Sequence, residues 1–119
     1  MVFPPLARVR QSIPQPRLLD VPGTIRRLIR GSRLRERVAP GGTIAIGIGS
    51  RGVHQIDLVA RTIVDTLRDM SYKPFIVAAM GSHGGATPEG QRELLAGYGV
   101  TSESMGVAVK TDIDRKSVV

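Results

Sequence analysis

The sequence contains no cysteine and no tryptophan. Without thiols there is no disulfide framework, no thiolate metal site and no cysteine nucleophile. Aromatic side chains are almost as scarce, with Phe3, Tyr72, Phe75 and Tyr98 the only four in 119 residues. Nowhere does an apolar run approach the roughly 18 residues needed to cross a bilayer, so no membrane partner is expected. The N-terminus, Met1-Val2-Phe3-Pro4-Pro5, meets Arg8 and Arg10 before any apolar run develops, which is the wrong order for a secretory signal. These absences point to a cytoplasmic protein. Hydrophobic residues at 41%, charged residues at 23% and a mean hydropathy near zero place it in the ordinary globular range.

Acidic residues are missing from one region in particular. Residues 1–42 hold nine arginines against Asp20 and Glu36, so this segment carries the whole net charge of +7, while residues 43–119 are balanced. Six of the arginines, Arg26, Arg27, Arg30, Arg33, Arg35 and Arg37, crowd together. Such a patch suits nucleic acid, an anionic surface or an acidic partner. No aromatic residue lies among them to stack on bases, so a solvated helix face meeting an acidic neighbouring domain is the better reading, and no nucleic-acid partner is expected.

The order of elements follows from punctuation and period. Residues 1–19 are interrupted by Pro4, Pro5, Pro14 and Pro16 and support at most a short strand around Leu6 to Gln11. Asp20 can cap a helix spanning about 21–37, with Ile25, Leu28, Ile29 and Leu34 on one face and a weak middle at Gly31-Ser32. Pro40-Gly41-Gly42 ends this N-terminal region of strand and basic helix, 1–42. Residues 43–119 then form an α/β ligand-binding unit. Thr43 to Ile48 is a short apolar run of the kind found in strands buried on both faces. Ile56, Val59, Ala60, Ile63, Val64, Leu67 and Met70 form a helical stripe, with Asp57, Arg61 and Asp65 spaced for ion pairs on the outer side. Pro74 to Ala79 repeats the buried-strand pattern. Thr87 caps a further helix that opens with Pro88 and runs to about Ala96, and Val107 to Val109 is apolar enough for a third strand. The predicted class is α/β, a Rossmann-like parallel sheet with helices on both faces, incomplete because no closing element follows.

Two glycine-rich loops leave the carboxyl ends of the first two strands, where open parallel sheets bind ligands. The first, Gly47-Ile48-Gly49-Ser50-Arg51-Gly52, spells a G-x-G-x-x-G. A dinucleotide site of that type needs an acid about 20 residues on, at the end of the second strand. That position reads Ala78-Ala79-Met80, and no acid occurs between Asp69 and Glu89. Ser50 and Arg51 nevertheless offer a hydroxyl and a guanidinium suited to phosphate or carboxylate; equally, the glycines could serve a tight turn with Arg51 in solvent. In the second loop, Gly81-Ser82-His83-Gly84-Gly85-Ala86-Thr87, His83 is placed for proton transfer, or else is a loop histidine bonded to backbone. His54 and His83 alone make a poor metal site.

The strings Ile48-Gly49-Ser50-Arg51-Gly52, Pro74-Phe75-Ile76-Val77, Met80 to Thr87 and Glu89-Gly90-Gln91 resemble the N-terminal domain of the nickel-dependent lactate racemase (LarA-like) family. The resemblance is most specific over 43–99. It implies a 2-hydroxy-acid isomerase using a nickel-pincer nucleotide, with His83 as one of two acid/base residues. It also implies cofactor or substrate contacts from Ser50, Arg51, Gly52, Ser82, Gly84, Gly85 and Thr87. The chain departs from the family in carrying Gly49-Ser50-Arg51-Gly52 where lactate racemases have an Asp-x-Thr-Arg-Pro type loop, which leaves the substrate open. The family's second histidine, cofactor-tethering lysine and nickel-binding histidine would lie past Val119. The expectation is therefore an N-terminal domain or fragment that needs a C-terminal domain for a complete active site, and whose unclosed sheet edge favours homo-oligomerisation. The alternative is a non-catalytic module for a phosphate or carboxylate ligand, or an inactive remnant.

Overall fold

The computed structural model describes residues 2–50, 52–81, 85 and 87–111. Its centre is a three-stranded parallel sheet in the order β1 (Thr43–Ile48), β2 (Lys73–Ala78), β3 (Val109–Lys110). Among the described residues five helices accompany it: α1 (Val21–Arg30), α2 (Leu34–Arg37), α3 (Ile56–Asp69), α4 (Pro88–Gly97) and α5 (Ser102–Met105). The predicted α/β class is the observed one. The third strand lies slightly later than the apolar triplet suggested, pairing Val109 with Ile76 and Lys110 with Val77.

The helix expected over 21–37 is two helices. Asp20 Oδ1 accepts the Gly23 amide at 3.0 Å and starts α1. At the other end the Ser32 hydroxyl donates to the Ile29 carbonyl at 2.6 Å, a local bond that competes with helix continuation. α2 resumes at Leu34. The strand expected near Leu6 to Gln11 does not form: residues 2–19 carry no regular structure and are exposed throughout. Four prolines remove amide donors from this segment, and no sheet edge takes it up.

The core follows strand parity. Ile46, Ile48, Ile76 and Ala78 pack with Ala60 and Val64 of α3, Leu95 of α4 and Met105 of α5. Ile44 and Ile46 also meet a second cluster of Leu67, Met70 and Tyr72, joined by Ile29 of α1 and Leu34 of α2. Every one of these strand residues is even-numbered, so the helices lie on one side of the sheet. Strand order explains this, because sequential parallel strands joined by right-handed crossovers put successive helices on the same face. The expectation of helices on both faces thus fails among the described residues, where strand order never reverses. For the same reason β1 is not buried on both faces: Ala45 and Gly47 are exposed. On that open side Lys110 Nζ stands 4.6 Å from the Phe75 ring centroid.

Helix α3 buries a wider arc than its apolar stripe. Thr62 and Thr66 are buried as well, each donating its hydroxyl to a carbonyl one turn back, at 2.8 and 2.7 Å. Of the two ion pairs expected on its outer side, Arg61–Asp65 forms at 3.9 Å with both partners largely exposed, an arrangement of little energetic weight. Asp57 instead lies against Gly99, where an added β-carbon would come 3.2 Å from Asp57 Cβ. The short helix α5 was not expected. Thr101 and Ser104 start it with a reciprocal capping box.

Candidate functional site

The register of the sheet fixes where the two glycine-rich loops begin. β1 and β2 pair residue for residue from Thr43 with Lys73 to Ile48 with Ala78. One step further, the Ala79 amide donates to the Ile48 carbonyl at 2.8 Å. Parallel strands ending together deliver both loops to one edge, the position at which open α/β sheets take ligands.

A single helix braces them there. At its start Gln91 Nε2 donates to the Gly81 carbonyl at 3.1 Å, holding the root of the second loop. At its end the Tyr98 hydroxyl donates to the Ser50 carbonyl at 2.8 Å, holding the first. Tyr98 is half-buried and packs on the main core, so this bond is anchored. Between Tyr98 and the first loop, Gly49, Gly52, Val53 and Ile56 enclose a cavity of about 20 Å³, space for about one water molecule. Neither Tyr98 nor Gln91 is picked out as a site residue by the sequence. Tyr98 lies 48 positions from its partner, and nothing local announces the bond.

Of the residues expected at the site, Ser50, Gly52, Gly85 and Thr87 are described and lie in these two loops. Thr87 serves the fold directly, since its hydroxyl oxygen accepts the Gly90 amide at 3.1 Å and caps α4. Ser50 is half-buried, with its carbonyl committed to Tyr98. Gly85 has a left-handed backbone, φ +69°, as does Gly81 with φ +60°. Gly49 and Gly52 do not. Arg51, Ser82, His83 and Gly84 lie outside the described residues.

Among the described residues no group of three or more histidine, aspartate or glutamate side chains could hold a metal ion. The edge offers backbone groups and hydroxyls, donors suited to an oxyanion. A second concavity, about 440 Å³, follows the outer side of α4 past Glu89, Arg92 and Glu93 and contains no described residue of either loop. No helix among the described residues is long and apolar enough to cross a membrane. Compared with protein-family models, curated proteins and solved structures, the chain matches none of them.

Proposed function

We propose that the carboxyl edge of the sheet binds a small anionic ligand through its two glycine-rich loops. We propose further that it is the N-terminal, ligand-binding part of a 2-hydroxy-acid isomerase resembling the LarA-like enzymes. The observation that supports this reading most is the placement of both loops at one edge by the β1–β2 register, under the brace of α4. The motif strings from Ile48 to Gln91 supply the family and the reaction class.

In this reading the first loop, with Ser50, Arg51 and Gly52, holds a phosphate or carboxylate. His83 exchanges a proton with the substrate hydroxyl, as the resemblance assigns it. A bound pyridinium nucleotide would supply the hydride-accepting chemistry. Its phosphate fits a loop of small residues and amides. Its nickel has no ligand set among the described residues, so no step is placed on the metal.

Titration of the chain with nicotinic acid mononucleotide tests the binding half of the proposal. Saturable heat at millimolar concentration or below, lost in Arg51→Gln, is the expected outcome; no binding at millimolar concentration would overturn it. The catalytic half is tested by chiral chromatography of a 2-hydroxy acid incubated with the pincer cofactor and a longer polypeptide carrying this domain. Racemisation abolished by His83→Ala supports the enzyme. The donor set of amides and hydroxyls equally suits one alternative, a non-catalytic module, which predicts intact binding and no turnover in either form.

A further inference from the structure

A cleft of about 540 Å³ opens between the N-terminal segment and the turn leading into α3. Gln15, Arg17, Leu18 and Val21 line one side and His54 and Gln55 the other. Its volume lies within the range of small-molecule sites, and it is open to solvent, since each of these lining residues except Val21 is exposed. None of the described residues of the two glycine-rich loops lines it.

Among the described residues its chemistry is of one sign. They present a guanidinium, an imidazole and two carboxamides, and no carboxylate. Asp20, the nearest acid in sequence, is not part of the lining and has its Oδ1 bonded to the Gly23 amide. Neither Arg17 nor His54 forms an ion pair with another described residue. Beside these groups Leu18 keeps 63% of its surface exposed and joins neither core cluster. A permanent cation and unused apolar surface thus share one concave space.

We propose that this cleft binds a small alkyl carboxylic acid, with Arg17 taking the carboxylate and Leu18 and Val21 covering the alkyl group. A guanidinium matches a carboxylate through two parallel hydrogen bonds, and the carboxamides of Gln15 and Gln55 can donate to the same oxygens. The apolar wall favours an alkyl acid over an inorganic anion, since burying alkyl surface adds affinity that phosphate cannot gain. The inference does not depend on the loops being part of an isomerase.

The test uses the uniformly ¹⁵N-labelled full chain titrated with 3-methylbutanoate and followed by amide chemical shifts. Saturable shifts confined to Gln15, Arg17, Leu18, Val21, His54 and Gln55 are expected. Affinity should fall by about tenfold or more in Arg17→Gln and in Leu18→Glu, the loss of one charge-assisted contact or of the apolar wall. Arg10→Gln, on the same segment but outside the cleft, should leave it unchanged. Inorganic phosphate and 3-methylbutanamide should each bind about tenfold more weakly or worse, by the same reasoning. The proposal is overturned by any of three results: no saturation, equal shifts in Arg17→Gln, or equal binding of phosphate. Both substituted side chains are exposed, and unchanged β1 and β2 amide resonances confirm that each variant is folded.

Discussion

The two glycine-rich loops leave neighbouring strands at the same level of the sheet, yet their glycines answer different demands. In the second loop Gly81 and Gly85 adopt positive φ, +60° and +69°, with no described residue within 4 Å of where a β-carbon would stand. Glycine is favoured there by backbone conformation. In the first loop Gly49 and Gly52 have ordinary backbones. A β-carbon on Gly49 would stand 3.7 Å from the Ala79 carbonyl oxygen, an ordinary contact, and one on Gly52 would meet no described residue within 4 Å. Among the described residues nothing asks for glycine at these positions. In the proposed reading, a β-carbon at either position would take space that the ligand uses, so one loop would use glycine to take a shape and the other to leave room.

The sharpest way to break this contrast is to place alanine at both left-handed positions. Gly81→Ala combined with Gly85→Ala should destabilise the chain by about 2–4 kcal/mol in urea unfolding, from about 1–2 kcal/mol for each L-residue forced into the left-handed region. A loss near zero would mean that the second loop relaxes freely and that its conformation is not imposed. The brace comes next. Tyr98→Phe removes one hydrogen bond while keeping the packed ring, and should cost about 1 kcal/mol. Because the lost partner is the Ser50 carbonyl, the same variant should raise amide hydrogen exchange near the first loop more than near the second. Gln91→Ala, which releases the Gly81 carbonyl, should do the opposite with a smaller change in stability, as expected of an exposed hydrogen bond.

Much of the α/β unit is legible in the sequence because its elements differ in hydrophobic period. The run Thr43 to Ile48, the stripe from Ile56 to Met70 and the run Pro74 to Ala79 each became the element that their spacing implies, to within a residue or two. Caps were equally readable, since Asp20 and Thr87 act through their own side chains on amides three residues away. Facing was not readable. An apolar run such as that of β1 is consistent with burial on both sides, and only the strand order, a product of tertiary pairing, leaves Ala45 and Gly47 open. The proline-rich start suggested a strand, but a strand needs a partner edge as well as an extended backbone. At the site, the motifs located the loops, while the groups that hold them together, Tyr98 and Gln91, act across tertiary contacts that no local pattern encodes. The cleft at Arg17 and His54 has the same origin: its walls lie 37 positions apart in sequence.

The smallest expected effect on stability carries the most information about function. Gly52→Ala meets no atom of a described residue within 4 Å and requires no positive φ, so it should shift unfolding by less than about 0.5 kcal/mol, or stabilise slightly by restricting the unfolded chain. Its effect on nicotinic acid mononucleotide should be far larger if, as proposed, the phosphate approaches the backbone at this glycine. Calorimetric titration of Gly52→Ala beside the unaltered chain separates the two quantities in one pair of samples. Unchanged stability with binding lost identifies the open glycine as a ligand position. Unchanged stability with unchanged binding would move the ligand away from the first loop and leave the second loop, with its shape-setting glycines, to hold it alone.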